Sequence, residues 1–538
     1  MQILMFSEPS YPRHPGGAGK CSHLLAAGLV ARGHTVHIIC ETNEEPLREQ
    51  IDGVDVHRLR LSGAEPLRKD EQEAVYARSV LSYLEREIPL PAVNLVHDSG
   101  GFLSYFFPVA YELQRHYRLP YVLHFRYLLA KHHAAMAPRF VYDPFSAPVL
   151  GLESCLHEMT QSFPTRFADL VICPSVEDAT FVHEAFRPAS GKPAVVPDPI
   201  DVRFSTPDDG QALRRELANP GEQLVLFGGR IDSDLKGADI VLRAFKRMRQ
   251  ARPTLRLLLL ARDSGTVGLF RRHFGPAVTP LGWIDDAARF AGVLSAADLV
   301  MMPSRYEAFG MMCAEAMAVG SPVVAAPVGG LRDMIVHGET GFLFQSPDPQ
   351  EWDRELAEYA LVLLSNPTLA RAVGQNARRF AHERFSVDTI AARVEQLYET
   401  ATAEHRRRGR EGIVPPRLDR EDQERYLALL EQLLGPEARP VGEALLGYWH
   451  ASIEQRCLAC TRQRTAMGVR RLLSLQRFKP RRLAARLTGR WRSELQEAVE
   501  EVCPLALLQK EYIRTRLRRS PGAAHTALAL IQKRLSRS

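Results

Sequence analysis

The chain has 538 residues, of which 45% are hydrophobic and 25% charged, with a formal net charge of +6. This is the composition of an ordinary soluble globular protein with room for more than one domain, and no uninterrupted apolar stretch approaches the ~20 residues needed to cross a bilayer. The charge is unevenly placed: residues 401–538 carry 28 Lys and Arg against 15 Asp and Glu, a balance of +13, which leaves −7 for residues 1–400.

The N-terminal Met1-Gln-Ile-Leu-Met-Phe-Ser7 reads as a first core strand. It lacks the basic n-region and long apolar h-region of a signal peptide, so a cytoplasmic setting is expected. Further strands are predicted at Val36–Cys40, Val54–Leu59, Leu95–His97, Tyr121–His124, Leu170–Cys173 and Ala194–Pro197, after the first at Gln2–Phe6. Amphipathic stretches such as Gly19–Arg32 and Glu71–Glu87 lie between them, and strand–helix alternation of this kind argues for a parallel, doubly wound sheet. The pattern restarts after Pro197-Asp-Pro199, at Gln223–Phe227, Leu255–Ala261, Val278–Leu281, Leu299–Met302, Val323–Ala326 and Gly341–Phe344. The fold class is therefore α/β, with two Rossmann-like units in series and a ligand site expected between them, at the carboxyl ends of the strands. Helices follow at Pro349–Ser365, Pro367–Arg384 and Val387–Thr400.

Residues 404–416 are charged and broken by Gly and Pro, so they read as a linker. Beyond them, residues 417–538 show helical patterns only, with basic clusters at Arg462–Arg471, Arg477–Arg492 and Arg514–Arg519. This basic helical extension is expected to bind a membrane surface peripherally, to self-associate, or to pack on the body; nucleic acid is disfavoured because no binding motif is present. The eight cysteines are scattered, as in a reduced compartment, and Cys457-Leu-Ala-Cys460 has no second pair and no nearby His at zinc spacing.

The most informative segment is Ser304-Arg-Tyr-Glu-Ala-Phe-Gly310 and the helix predicted from Gly310 to Val319, closed by Gly320. Glu307 falls at the strand-to-helix turn and Glu315 about two turns further along. The unpaired N–H groups and positive dipole end of that helix suit an anion, so the pattern fits a nucleotide diphosphate with one carboxylate facing each end. Four other features fall where such a ligand needs them. His14-Pro-Gly-Gly-Ala-Gly-Lys20 follows the first strand and opens a helix, though it is not a Walker A loop. Phe227-Gly-Gly-Arg-Ile-Asp-Ser-Asp-Leu-Lys-Gly237 offers Arg230 as a bidentate fork and Lys236 as a point charge for a diphosphate. Asp232 and Asp234 in that loop match a DxD metal motif only superficially. His124 ends a buried strand and faces the expected cleft, as do His97 and Asp98 at the end of the preceding strand. Gly329-Gly330 opens another short helix, and His337-Gly-Glu-Thr-Gly-Phe-Leu343 turns into the last strand.

Taken together these residues resemble the family 4 retaining glycosyltransferases of the GT-B fold, over roughly residues 1–400 and most densely from Leu281 to Phe344. The resemblance implies an acceptor-side domain at 1–198 and a donor domain at 199–403, whose last helix can pack back on the first domain. It implies transfer of a sugar from a nucleotide diphosphate donor to an acceptor hydroxyl. A UDP-sugar is the first expectation, with GDP-mannose or an ADP-sugar behind it, and since Arg230, Lys236 and the Gly310 helix can neutralise the diphosphate, no metal or other cofactor is expected. It places Arg230 and Lys236 at the donor diphosphate, and Glu315 at the ribose. Glu307 and the backbone of Phe309, Gly310 and Met311 surround the donor sugar, and Ile284 meets the base. Gly16 and Gly17 lie beside phosphate and acceptor, with His97 and His124 on the acceptor side and His124 near the anomeric centre. A nucleotide-sugar epimerase and a non-enzymatic sugar-nucleotide-binding scaffold are the alternatives. The chain departs from the family pattern twice. Phe125-Arg126-Tyr127 follows His124 where many relatives carry a small polar residue, and Asp198-Pro199 stands where the interdomain hinge usually reads Asn-Gly.

Overall fold

The computed structural model describes chiefly residues 1–8, 16–60, 79–100, 107–128, 161–229, 234–261 and 264–409, apart from short breaks within them, with isolated positions elsewhere. The first sheet contains β1 (Gln2–Ser7), β2 (Thr35–Thr42), β3 (Leu47–Ile51), β4 (Val54–Arg60), β5 (Leu95–Ser99), β6 (Tyr121–His124), β7 (Leu170–Cys173) and β8 (Ala194–Val195). Their order is β3-β4-β2-β1-β5-β6-β7-β8, all parallel except β3 against β4. The second sheet, wholly parallel, has the order β11-β10-β9-β12-β13-β14. Its strands are β9 (Leu224–Gly228), β10 (Arg256–Leu260), β11 (Val278–Pro280), β12 (Leu299–Met302), β13 (Val323–Ala325) and β14 (Phe342–Leu343).

Central strands covered on both faces by helices have no solvent side, which is why β9 (Leu-Val-Leu-Phe-Gly) and β12 (Leu-Val-Met-Met) are buried throughout and read as continuous apolar runs. In each sheet the strand order reverses beside the first strand of the unit, between β1 and β5 and between β9 and β12. Ligands of such sheets bind outside the carboxyl ends at that reversal. Ser7, Ser99, Gly228 and Met302, the last residues of these four strands, mark the place.

Thirteen strands fall where the apolar runs predict them, several a residue longer or shorter; Ala194–Pro197 shortens to two residues. The antiparallel β3 was not anticipated. Its residues alternate exposure, as on an edge, and it joins β4 through Asp52 and Gly53, whose φ values are 52° and 76°. Asp-Gly with both φ positive is a strong hairpin signal, so the sequence did hold the cue.

The last helix, Val387–Arg408, runs eight residues beyond the predicted Thr400, so Glu404–Arg408 are helix rather than linker. His405 and Arg408 explain the extension, because both reach back to the first sheet's side. His405 Nδ1 lies 3.0 Å from Asp169 Oδ2, and Arg408 donates to the Ala168 carbonyl at 2.9 Å. Higher up, Ile390, Val394, Leu397 and Tyr398 share a core with Ile3, Met5, Leu25 and Leu29 of the first domain. Gly28 permits this approach: a Cβ there would stand 2.7 Å from Val387 Cγ1. The chain thus crosses between the sheets twice, and the crossings lie side by side, with Ile200 bridged to Ser386 and its N–H donating to Phe385 O at 2.8 Å. The predicted extension at 417–538, with Cys457 and Cys460, lies outside the described residues except for isolated positions. Among the described residues no helix is long and apolar enough to cross a membrane.

Candidate active site

The Met311–Val319 helix begins and ends on glycines in the left-handed conformation, Gly310 at φ 105° and Gly320 at φ 85°. Helix geometry leaves its first N–H groups without intrahelical acceptors. Glu307 sits in the turn ahead of it. Its Oε1 accepts from Ser304 Oγ at 2.8 Å and forms an ion pair with Lys236. The turn itself is welded to the loop after β9. Arg305 donates through both Nη atoms to Asp239 at 3.0 Å each, and its N–H donates to Leu235 O at 2.6 Å. On the other side the Gly329–Met334 helix closes over it, where Gly330 N–H donates to Glu307 O at 3.3 Å.

Gly330 stands so close that a Cβ would meet the carbonyl of Phe309 well inside 3.0 Å, a separation real side chains essentially never show. Its φ lies outside the left-handed region, so Gly330→Ala tests the contact alone. We expect a loss of about 1–3 kcal/mol, the usual cost of overpacking, because the Glu307–Phe309 turn must shift. Thermal denaturation checks this; an unchanged midpoint would show the turn is not held by that contact.

Glu315 lies one to two turns along the same helix and faces the other domain. Lys20 Nζ reaches its Oε1 at 2.6 Å, and Cys21 Sγ approaches Met311 Sδ at 3.3 Å. The helix start is thus bracketed by two lysine–carboxylate pairs, Lys236–Glu307 within the second domain and Lys20–Glu315 across the gap. Gly16 caps the Gly17–Ala31 helix that carries Lys20. A Cβ on Gly16 or Gly17 would meet nothing within 4 Å, so the described chain itself makes no packing demand for glycine at either position.

The first-domain wall is built at the ends of β5 and β6. His97 Nδ1 lies 2.7 Å from the Tyr398 hydroxyl, His97 Nε2 lies 3.3 Å from His124 Nδ1, and His124 Nε2 is buried without a hydrogen-bond partner. Burial, reinforced by the nearby Arg126 guanidinium, pushes the His97 pKa down to about 3 and His124 well below its usual value. Both rings are therefore neutral at pH 7. Asp98 is structural: it accepts from the Tyr121 hydroxyl and the Gly100 N–H, each at 3.0 Å.

The two departures from the family pattern meet here. Arg126 Nη1 is paired with Asp198, and Arg126 Nε donates to Ser99 Oγ at 2.9 Å, which in turn lies 2.7 Å from Ser22 Oγ. Both charged residues are 5% exposed. An isolated buried charge is costly, so each residue accounts for the other.

On the opposite flank the domains join again. Tyr306 accepts from Leu128 N–H at 3.1 Å and donates to Asp178 at 3.2 Å, while Lys131 reaches Asp178 at 2.8 Å and Glu177 at 2.5 Å. Glu177 also accepts from Gly329 N–H at 2.9 Å. Burial raises the Asp178 pKa to about 6 against the pull of Lys131.

The structure therefore brings Lys236, Glu307, Phe309, Gly310, Met311 and Glu315 onto one turn and helix, which Lys20 and Cys21 of the helix capped by Gly16 reach from the first domain, while His97 and His124 lie buried at the ends of β5 and β6. Ile284, in the loop after β11, is half-buried against the second-domain core. Arg230 and Asp232 lie outside the described residues. Sequence reasoning missed Lys20, Tyr306, Tyr398 and the Arg126–Asp198 pair, since their partners are 72 to 301 positions away in the chain. Among the described residues no group of three or more His, Cys, Asp or Glu could hold a metal ion.

Residues 15–204 match the family described as Glycosyltransferase Family 4, and residues 222–366 match Glycosyl transferases group 1. The chain is 31% identical to a D-inositol 3-phosphate glycosyltransferase of Segniliparus rotundus, over 68% of this chain and 81% of the relative. A protein of the same name from Streptomyces avermitilis is 30% identical over 76% and 89%. Among solved structures, sucrose-phosphate synthase from Thermosynechococcus elongatus superimposes with a TM-score of 0.62 at 23% identity, over 75% of this chain and 99% of that one. Anabaena Alr3699/HepE, solved with UDP and glucose, gives 0.55 at 22% identity, over 74% and 99%.

Proposed function

This chain belongs to glycosyltransferase family 4, and on that premise we propose that it moves a sugar from a nucleotide diphosphate donor to an acceptor hydroxyl with retained configuration and without a metal ion. It is a glycosyltransferase on the GT-B fold, with two Rossmann-like domains. We divide it at Asp198, with the Val387–Arg408 helix returning to the first domain.

The observation that carries the reading is the pair of lysine–carboxylate contacts on either side of the Met311–Val319 helix start. Lys236, with Arg230, neutralises the leaving diphosphate, and the first-turn N–H groups of that helix add preorganised positive dipole. These groups stabilise the departing charge, so the proposed chemistry asks for no divalent cation. Glu315 holds the ribose and Lys20 stays nearby as a second cation. Glu307, Phe309, Gly310 and Met311 surround the sugar, Ile284 borders the base, and Gly16 and Gly17 leave room for phosphate and acceptor. His124 hydrogen-bonds the sugar near the anomeric carbon. No side chain stands as a covalent nucleophile, and in the retaining reaction the leaving phosphate oxygen takes the acceptor's proton on the face from which it departs.

A UDP-sugar is the donor to test first and D-inositol 3-phosphate the first acceptor, the latter because the named relatives carry it in their names. An epimerase or a non-catalytic scaffold on the same fold is disfavoured by the cation–carboxylate set. Product mass spectrometry over a panel of nucleotide sugars, with and without EDTA, tests the reading. Transfer that survives EDTA is expected; strict dependence on added metal would overturn the metal-free mechanism. Glu315→Gln is expected to raise the donor Kd about tenfold while bound-state turnover falls less, because the ribose is remote from the bond being broken. His124→Ala should show the reverse. Equal signatures in donor titration and single-turnover rates would show that the two roles are not divided in this way.

A further inference from the structure

We infer that Tyr398, from the returning C-terminal helix, is a positioning residue that fixes the proton of His124 on Nε2, so that His124 faces the substrate as a hydrogen-bond donor and not as a base. The inference deepens the reading above and rests on His124 lining the sugar site.

A proton count, together with the strength of the contact at each end of the row, carries it. Tyr398, His97 and His124 form a row with two internal contacts, Tyr398 hydroxyl to His97 Nδ1 at 2.7 Å and His97 Nε2 to His124 Nδ1 at 3.3 Å. The outer end of the row, His124 Nε2, is buried and unpartnered. All three residues are 0% exposed. With both rings neutral, the row holds three protons: one phenolic and one on each imidazole. Each internal contact takes exactly one.

Two arrangements satisfy both contacts. In the first, Tyr398 donates to His97 Nδ1, His97 Nε2–H donates to His124 Nδ1, and the His124 proton stands on Nε2. In the second, His97 Nδ1–H donates to the tyrosine oxygen, His124 Nδ1–H donates to His97 Nε2, and His124 Nε2 carries a lone pair. The second arrangement turns the phenolic proton away from His97. Among the described residues the Tyr398 hydroxyl meets no other group, so that proton would be left buried and unbonded. The first arrangement also leaves one buried donor, His124 Nε2–H, but on the reading above a bound sugar oxygen accepts from it, whereas nothing among the described residues accepts the turned-away phenolic proton. A phenol donating to an imidazole nitrogen, here at 2.7 Å, is also a stronger contact than an imidazole N–H donating to a phenol oxygen. The row therefore runs outward from Tyr398.

The consequence is chemical. A neutral imidazole with Nε2–H outward and Nδ1 already accepting has no free lone pair, so His124 cannot remove a proton from the acceptor hydroxyl. It can donate to an oxygen of the bound sugar and strengthen that bond as negative charge develops. The base role is left to the leaving phosphate.

The test uses full-length protein labelled with ¹⁵N in the histidine rings, read by two-bond ¹H–¹⁵N correlation at pH 7, with His97→Gln and His124→Gln variants to assign the two signals. The expected result is a neutral His124 protonated at Nε2. Tyr398→Phe removes the proton that orders the row, so His124 should become a mixture of both tautomers. The kcat should then fall about tenfold, the size of one misdirected hydrogen bond, with donor KM held. A wild-type His124 protonated at Nδ1 would overturn the inference whether or not the variant folds. So would a Tyr398→Phe protein with unchanged tautomer and kcat. Full activity in His124→Ala would instead remove His124 from the sugar site and leave the tautomer result standing.

Discussion

Replacing Lys236 with alanine should lower kcat/KM by about 30- to 1,000-fold with the fold intact, corresponding to roughly 2–4 kcal/mol of transition-state stabilisation. The expectation follows from where Lys236 stands. It comes from the loop after β9, its ammonium pairs with Glu307 at the start of the Met311–Val319 helix, and both are partly buried, at 24% and 11% side-chain exposure. A diphosphate arriving at that helix would meet this ammonium first, and the developing charge on its leaving oxygen would be screened by little water. Lys236→Ala also strips Glu307 of its cation, leaving Ser304 as its partner. A cycle with Glu307→Gln therefore separates the two contributions. If Lys236 acts only by holding Glu307, the double variant should be no worse than either single one. If it binds the diphosphate, its loss should remain large in the Glu307→Gln background. Steady-state kinetics with circular dichroism decides the matter, and near-normal kcat/KM in Lys236→Ala would end the assignment.

The largest effect on stability is expected from Arg126→Met, about 3–5 kcal/mol, because it leaves Asp198 buried and uncompensated. The cost is that of stranding a charge, and it says little about the pair's net worth. Removing both charges with Arg126→Met and Asp198→Leu should therefore restore most of the loss, since a well-packed apolar pair of similar volume is often as stable as the buried ion pair it replaces. Denaturant unfolding of the three variants measures this. A single variant within about 1 kcal/mol of wild type would show that water reaches Asp198. A double variant no better than the single would mean that the serine contacts of Arg126, rather than its charge, hold the wall.

The parallel strands were legible because burial on both faces writes them as apolar runs that need no partner to be recognised, as in Leu299–Met302 and Leu224–Gly228. The carboxylates of the candidate site were legible for a related reason. Glu307 and Glu315 are fixed relative to each other by one turn and one helix, so their spacing is local. What stayed hidden was set by distant contacts. Nothing near Lys20 announces Glu315, and nothing near His97 announces Tyr398 on a helix 301 positions later. Arg126 and Asp198 each look like an oddity when read singly, and only the fold shows that one explains the other. The linker expected from residue 404 illustrates a further limit. Clustered arginines look like a solvated break, yet one of them, Arg408, donates to the carbonyls of Arg166 to Ala168 in the first domain.

The Val387–Arg408 helix also bears on how the protein is made. It supplies Ile390, Val394, Leu397 and Tyr398 to the core that holds Ile3 and Met5, so a strand made early waits for a helix made much later before its core is complete. The second sheet, by contrast, is drawn from one continuous stretch and can close while synthesis is still under way. The order of maturation is then the reverse of the order of translation. A ribosome stalled before residue 387 should carry a protease-resistant second domain attached to a first domain that is still readily cut.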